Sequence, residues 1–511
     1  MVEQLPEAFA DDDHDSDNGD NGAASDGDDA LAARVKRVRT TVTDGSGSHA
    51  LRGLYLETIN RARLDFDFEK LCSVSLSNHN VYACLVCGKY FQGRSKASHA
   101  NIHSMSEDHH VFVNLQTLKA SRAPARTRTR RLMAASRSVS VYILPDGHEV
   151  MDASLNDIKF VIRPVFTESQ VATLDSVAVQ SYDLNNKAYL PGFVGLNNIK
   201  SNDFVNVIVQ AFAHVRPLRN HFLLNADITG SELVDRFGLL VRKMWNPRAF
   251  KGQVSPHELI QEISNASKKR FRLGEQSDPI EFLSWFLNNL HMGLGAKKGG
   301  PPTIVQKTFQ GELVIESQPT AAASGEDSMP VVNSENPQVT VTKTPFWFLT
   351  LDLPPPPLFT DEADKNIIPQ VPLATLLSKY DGNTPHESGA TIKRIRISKL
   401  PQYLIFCVKR FSKNNWNSLE KNPTIVNYPI KNLDMAEYVE GVDSARYDLV
   451  ANICHEGKPG TGNGAYKIHV LSKAKDQWLQ IQDLFVEEIM AQMIILSESY
   501  IQVWESVGSR A

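Results

Sequence analysis

Hydrophobic residues recur with a helical period between residues 276 and 291. The spacing of three and four residues places these side chains on one face of a helix. The face comprises Phe282, Leu283, Phe286, Leu287 and Leu290. The pattern predicts an amphipathic helix that packs against a core.

Two other stretches have the near-continuous apolar character of buried strands. Residues 400–411 contain Cys407 and residues 447–457 contain Cys454, so we expect both thiols to be buried in a core. Residues 119–140 differ, because they are basic, of low complexity and without an apolar period. This composition predicts a mobile loop.

The chain is long enough for more than one domain. It has 511 residues, of which 42% are hydrophobic, and a single core seldom organises so many. The net charge of −4 hides an asymmetry, because residues 1–48 begin with a segment rich in aspartate, glycine and serine. We expect this acidic N-terminus to be disordered. A basic cluster follows, which is either a nuclear import signal or a solvated surface: Arg34, Lys36, Arg37 and Arg39.

Hydropathy and cysteine content point to an intracellular protein. The sequence has no run of about 18 apolar residues, and its acidic start lacks the layout of a secretory signal, so we expect no membrane association. Five cysteines in so long a chain are typical of a reducing compartment.

Three cysteines lie near a group of histidines, and this region is a candidate metal site. Cys84 and Cys87 have the spacing of a zinc knuckle, and His103 and His109 can complete a tetrahedron. His110 is the alternative fourth ligand. The other interpretation is that the two cysteines are core residues and the histidines are exposed.

The basic stretch 119–140 admits two interpretations. Four arginines could contact RNA phosphates: Arg126, Arg128, Arg130 and Arg131. An insertion or a gene-model artefact would look the same, because residue 118 would otherwise join almost directly to residue 142.

Residues 195–206 read Gly-Leu-Asn-Asn-Ile-Lys-Ser-Asn-Asp-Phe-Val-Asn and run into an apolar helix pattern. This resembles the cysteine box of the ubiquitin-specific proteases, Gly-Leu-x-Asn-x-Gly-Asn-Thr-Cys-Tyr-x-Asn. Asp203 stands where the family has its nucleophilic cysteine, and a carboxylate is a poor nucleophile toward amides. Asn198 matches the side chain that donates to the oxyanion, although a role as a turn residue explains it more simply.

Two further boxes extend this resemblance in the family's order. Residues 464–466 read Gly-Ala-Tyr where active members have Gly-His-Tyr, so Ala465 replaces the base. Residues 478–483 match Trp-x-x-Phe/Tyr-Asp/Asn-Asp, with Gln482 in place of the residue that orients the histidine. The resemblance implies a degenerate triad and no catalytic residue, since the three groups act as one unit. His455 and the adjacent Cys454 make a poor dyad, because neighbouring strand residues face opposite sides.

The resemblance also implies a domain organisation of α+β class. A zinc finger of the ubiquitin-protease type, with one structural Zn²⁺, covers 49–118 and continues after the insertion at 141–165. A papain-like ubiquitin-specific protease fold with thumb, palm and fingers covers 190–508. The fingers would be metal-free, because residues 309–394 contain no cysteine. Arg94, Tyr90 and Phe91 stand where such zinc fingers build a pocket for the ubiquitin tail, although this match is loose.

The altered triad resembles that of the inactive, splicing-associated members of the family. It implies a nuclear scaffold that supports the assembly or stability of the tri-snRNP and so pre-mRNA splicing. Expected partners are spliceosomal tri-snRNP proteins, with ubiquitin binding doubtful and RNA contact open. The alternatives are a ubiquitin-binding reader and a residual cysteine-type deubiquitinase.

Overall fold

The computed structural model describes residues 55–115, 139–226, 230–319, 339–355, 368–388, 391–413, 419–458 and 464–509. The acidic N-terminus 1–48, its basic cluster and the arginines of the 119–140 stretch lie outside these residues. Contacts divide the chain into the units Met1–Glu57 and Thr58–Ala511, and the second is described below.

The α-helices are α1 His99–Ser106, α2 Asn156–Ile162, α3 Glu168–Thr173, α4 Asp203–Ala213, α5 Arg216–Leu224, α6 Glu232–Met244, α7 His257–Ala266, α8 Pro279–Gly293, α9 Ile304–Phe309, α10 Leu373–Leu377 and α11 Ala491–Ile495. Short 3-10 helices span Arg61–Arg63, Ala153–Leu155, Ser378–Tyr380, Ala436–Tyr438 and Val507–Ser509. None of the helices in the described ranges is long and apolar enough to cross a membrane.

The strands are β1 Val81–Cys84, β2 Tyr90–Gln92, β3 Val111–Asn114, β4 Val141–Ile143, β5 His148–Val150, β6 Ser181–Tyr182, β7 Ala188–Tyr189, β8 Gly195–Leu196, β9 Gln253–Val254, β10 Gly311–Pro319, β11 Thr340–Phe346, β12 Leu349–Asp352, β13 Gln370–Pro372, β14 His386–Ser388, β15 Thr391–Lys399, β16 Tyr403–Lys409, β17 Phe411–Lys413, β18 Leu419–Lys421, β19 Ile425–Asn427, β20 Leu433–Asp434, β21 Arg446–Gly457, β22 Gly464–Ser472, β23 Gln477–Gln482, β24 Phe485–Ile489 and β25 Ser499–Ser506. Helices dominate between residues 203 and 309 and strands dominate after residue 311, which agrees with the predicted α+β class.

The N-terminal sheet has the strand order β2-β1-β3-β4-β5. In the sequence, strands β3 and β4 lie on either side of residues 116–138. They pair antiparallel, with Val111 opposite Ile143 and Val113 opposite Val141. The chain on the two sides of the basic stretch therefore belongs to one sheet. Its small core includes Tyr82, Phe112 and Leu144.

Helix α8 confirms the amphipathic pattern of residues 276–291. All five predicted apolar side chains are buried in the main core. The helix begins later than the pattern, at Pro279, because Asp278 caps it by accepting a 2.7 Å hydrogen bond from the backbone N–H of Ile280. Residues 276–278 stay outside the helix, and Gln276 reaches Asp203 at the start of α4.

The C-terminal sheet carries both predicted buried strands. Its order is β12-β16-β25-β21-β22-β23-β24, with β20 paired to β21. Cys407 on β16 and Cys454 on β21 are buried, as predicted. A separate sheet, β11-β10-β15-β14, lies in the sequence between α9 and β16.

Ion pairs fasten the segment before β1 to helices α6 and α7. Lys243 Nζ lies 2.7 Å from Asp67, and Lys70 Nζ lies 2.9 Å from Glu258. Arg236 contacts the second oxygen of Glu258 at 2.9 Å. These pairs hold the chain that enters the N-terminal sheet against the helical part of the main domain.

Candidate functional site

The four predicted metal ligands lie together in the N-terminal domain. Their Sγ and ring nitrogen atoms all lie within 4.8 Å of one another. Cys84 ends β1, Cys87 lies in the turn before β2, His103 is on α1, and His109 precedes β3. This Cys₂His₂ donor set suits the tetrahedral coordination of Zn²⁺.

The knuckle between the two cysteines depends on Gly88. This residue has φ of +78°, and a Cβ there would lie 2.2 Å from the carbonyl oxygen of Arg63. Its N–H donates to the Cys84 carbonyl at 2.9 Å, which closes the turn. The ring of Phe91 stacks on His103 with centroids 4.0 Å apart and so positions that ring.

His110 has other partners. Its Nε2 lies 2.7 Å from the Asp108 carboxylate, and its Nδ1 lies 2.8 Å from the Leu144 carbonyl oxygen. Of the two histidines that the sequence left open, His109 contributes an atom to the cluster.

The suggested pocket for a ubiquitin tail is not open at its two aromatic residues. Tyr90 is buried and its hydroxyl donates to the Asp65 carbonyl, while Phe91 is buried against His103. Arg94 is exposed and lies over the ring of Tyr142, 4.3 Å from its centroid.

The carboxylate of Asp203 sits at the first residue of α4, where it is only 3% exposed. Oδ2 accepts hydrogen bonds from Gln276 Nε2 at 2.7 Å and from the backbone N–H of Tyr466 at 3.0 Å. Oδ1 is buried and has no hydrogen-bond partner among the described residues. Burial raises the pKa of Asp203, and these hydrogen bonds only partly offset it.

Ala465 and Gln482 lie at the termini of two neighbouring strands, Ala465 near the start of β22 and Gln482 at the end of β23. Ala465 lies on β22, directly before the Tyr466 N–H that binds Asp203. Its methyl group can neither accept nor transfer a proton. Gln482 ends β23 opposite Phe485, and the next residue, Asp483, lies in the turn between β23 and β24.

Asp483 is a site residue that sequence reasoning missed. It has φ of +51° and accepts from Asn198 Nδ2 at 2.9 Å and from Asn206 Nδ2 at 3.1 Å. Its own carbonyl accepts from the Leu196 N–H at 2.9 Å. Because Asn198 donates to this carboxylate and accepts from the Asn202 N–H at 3.0 Å, it holds the loop before α4 in place. The sequence signal that could have identified Asp483 is its position as the last residue of the 478–483 segment, which resembles the family pattern.

The surroundings of Cys407 and Cys454 disfavour the thiolate form that a nucleophile needs. Burial raises the pKa of Cys454 to about 12 and also raises the pKa of Cys407. His455 packs between the rings of Phe411 and Tyr466, at 5.1 and 4.9 Å, and burial lowers its pKa to about 4. His455 is therefore held in an aromatic environment that favours its neutral form.

Comparison with known proteins gives matches over both parts of the chain. A family model described as "Ubiquitin carboxyl-terminal hydrolase" matches residues 194–504. A second, described as "Zn-finger in ubiquitin-hydrolases and other protein", matches residues 72–155.

Some of the similar proteins are named as ubiquitin hydrolases, and others are named as splicing proteins. "Ubiquitin carboxyl-terminal hydrolase 39" of Homo sapiens is 47% identical over 492 residues, which cover 92% of this chain and 82% of that protein. "Probable mRNA-splicing protein ubp10" of Schizosaccharomyces pombe is 46% identical over 468 residues, covering 89% and 88%. A solved structure described as "Crystal structure of an essential yeast splicing factor" superposes with a TM-score of 0.69 at 29% identity, covering 88% of this chain and 99% of that one.

Proposed function

The chain belongs to the ubiquitin carboxyl-terminal hydrolase family, with a zinc finger ahead of a ubiquitin-specific protease fold, and on this basis we propose that it is a catalytically inactive scaffold in pre-mRNA splicing. The observation that carries the proposal is the buried carboxylate of Asp203 at the start of α4, bound to Gln276 and to Tyr466.

Isopeptide hydrolysis in this family needs a thiolate, a base and a group that orients the base. At the matching positions this chain has a carboxylate, a methyl group and an amide, contributed by Asp203, Ala465 and Gln482. Asn198, the remaining donor, is bonded to Asp483. An oxyanion donor without a nucleophile contributes little, so we propose that none of these residues is catalytic.

The names of the similar proteins support pre-mRNA splicing as the process in which the scaffold acts. Two of the three similar proteins are named or described as splicing factors, and the similarity spans nearly the whole chain. We propose that the protein acts in the nucleus and docks tri-snRNP proteins, thereby supporting tri-snRNP assembly or stability. A protease fold without its chemistry retains a concave surface that binds a partner without cutting it.

We propose that the N-terminal domain holds one structural Zn²⁺ through Cys84, Cys87, His103 and His109. The donor set and the packing of Phe91 on His103 support this assignment. A closed four-ligand site contributes folding free energy rather than chemistry. The ion would fix α1 against the knuckle that follows β1.

Cosedimentation tests the scaffold role. Full-length protein is added to nuclear extract depleted of its counterpart, and tri-snRNP is followed on a glycerol gradient with and without the addition. We expect the protein to comigrate with tri-snRNP and to restore its level. Free migration with no effect on tri-snRNP would contradict the proposal, whether or not the protein hydrolyses ubiquitin conjugates.

A further inference from the structure

A cavity of 220 Å³ lies where three parts of the main domain meet. One wall is the segment from Phe160 to Val179, the second comes from the helical region and includes His214 and Trp245, and the third is the turn after β22. It shares no lining residue with the Cys/His cluster or with the surroundings of Asp203. The proposed scaffold function therefore leaves the cavity unexplained.

The walls are mostly apolar and partly aromatic. Phe166, Leu190, Phe193, Trp245 and Leu471 line the space. The rings of Phe193 and Trp245 meet edge to face, with centroids 6.0 Å apart. Such walls favour a flat apolar group, which can stack on one ring and meet the edge of another.

The charged groups of the cavity are already paired. Arg219 is 2% exposed and binds Asp175 through two hydrogen bonds of 2.7 and 2.8 Å. Its guanidinium also lies over Trp245, 4.8 Å from the ring centroid, and Lys473 is paired with Glu505. A charged ligand would lose its hydration without gaining a free counter-charge here.

The volume of the cavity limits the size of the ligand. An apolar cavity of about 150 Å³ is known to bind benzene, so 220 Å³ accommodates a somewhat larger ring system. We propose that this cavity is a binding site for one uncharged aromatic group of about indole size, presented as a side chain of an extended peptide. The inference goes beyond the proposed function, because it requires neither a splicing role nor the loss of catalysis.

The segment beside the cavity supports a peptide as the source of the ring. Val177 and Val179 line the cavity and are 54% and 57% exposed. Within the described residues, the backbone of Ala178, Val179 and Gln180 lies outside the helices and strands and forms no backbone hydrogen bond. A peptide backbone can therefore run alongside them while one side chain enters the pocket.

Ligand-observed NMR on the full-length protein tests the site. The probes are indole, the blocked tripeptide N-acetyl-Gly-Trp-Gly-amide, and the charged comparators indole-3-acetate and tryptamine. We expect saturation transfer to indole and to the tripeptide, tighter binding of the tripeptide, and at least about tenfold weaker binding of both charged compounds. Binding of indole without the tripeptide would support the cavity and overturn the peptide as its source.

Two blocking variants and one control variant test whether indole binds in this cavity. Ala474→Phe fills the cavity, whereas Ala172→Phe makes the same change on α3 at a residue that does not line it. We expect Ala474→Phe to weaken indole binding at least about tenfold and Ala172→Phe to change it less than about twofold. Ala178→Trp, on the exposed wall, serves as a second block that leaves the core intact. The inference is overturned if indole does not bind the natural protein, or if both blocking variants bind it unchanged.

Discussion

Gln276 Nε2 donates a 2.7 Å hydrogen bond to Asp203 Oδ2, and the same amide nitrogen lies 3.1 Å from the carbonyl oxygen of Gly464. One side chain thus joins the start of α4 to β22, the two elements on which the family carries nucleophile and base. The carboxylate of Asp203, which we propose replaces the family's nucleophile, accepts hydrogen bonds from two donors, Gln276 Nε2 and the backbone N–H of Tyr466.

The burial of Asp203 predicts a pH-dependent stability. An unfolded Asp titrates near pH 3.9, and burial raises the pKa in the folded state, so the folded chain holds this proton more tightly. The stability that the group contributes is full below the unfolded pKa and is lost as pH rises through the folded pKa. We expect Asp203→Asn to be at least as stable as the natural protein at pH 7 in urea unfolding, with the difference vanishing below about pH 4.

The control for this prediction removes the acceptor altogether. Asp203→Ala leaves the Gln276 amide and the Tyr466 N–H without their partner, which costs about 1–3 kcal/mol for each buried donor. Equal destabilisation by Asp203→Asn and Asp203→Ala at pH 7 would contradict this prediction.

The ion pairs of Glu258 predict that acid weakens the contact between the N-terminal segment and the main domain. Burial alone would raise its pKa, but Lys70, Arg236 and Lys243 lower it to about 2. An unfolded Glu titrates near pH 4.3, so this stability is present above that pH and is lost as pH falls toward 2. We expect Glu258→Gln to lower the free energy of unfolding by about 3 kcal/mol at pH 7, by about half as much at pH 3, and by much less at pH 2.

Glu262→Gln is the matched control, one turn along α7 and only partly buried. Its free energy of unfolding should stay within about 0.5 kcal/mol of the natural protein. Equal effects of the two substitutions in chemical denaturation would show that the ion-pair network does not stabilise the contact.

Asp483 predicts a local effect on the loop before α4. Asp483→Ala removes the acceptor for Asn198 and for the buried Asn206, so residues 195–206 should exchange their amide hydrogens faster. Asp476→Ala is the control, because Asp476 is also an aspartate in a β-turn with positive φ, but among the described residues its carboxylate pairs only with exposed Lys431. Unchanged exchange in 195–206 for Asp483→Ala would exclude the proposed clamp.

Metal content tests the assignment of the zinc ligands. We expect one zinc per chain by elemental analysis of the purified protein, and a marked loss in Cys87→Ser and His109→Ala. His110→Gln should keep the metal, since His110 is bonded to Asp108 and to Leu144. Loss of zinc in His110→Gln with retention in His109→Ala would reverse the assignment.

Periodic and local features were predictable from the sequence. The apolar face of α8 and the strand around Cys407 follow from spacing and hydropathy alone, and the Cys/His cluster follows from its knuckle spacing. The start of α8 was misplaced by three residues, because Pro279 and the Asp278 cap outweigh the apolar pattern.

Contacts between distant parts of the chain were not predictable in this way. Asn206 and Asp483 are 277 residues apart, and no local pattern indicates that one binds the other. The burial of Tyr90 likewise depends on the carbonyl of Asp65, which only the folded chain brings near.

The most direct test of the central claim is reaction with ubiquitin carrying a C-terminal electrophile, followed by intact mass. The natural protein is compared with the triple variant Asp203→Cys, Ala465→His and Gln482→Asn, and with the double variant Ala465→His and Gln482→Asn, which lacks the nucleophile. We predict no adduct for the natural protein and the double variant, and any adduct in the triple variant should map to position 203. An adduct on the natural protein, or cleavage of di-ubiquitin by it, would contradict the claim that this fold has lost its chemistry.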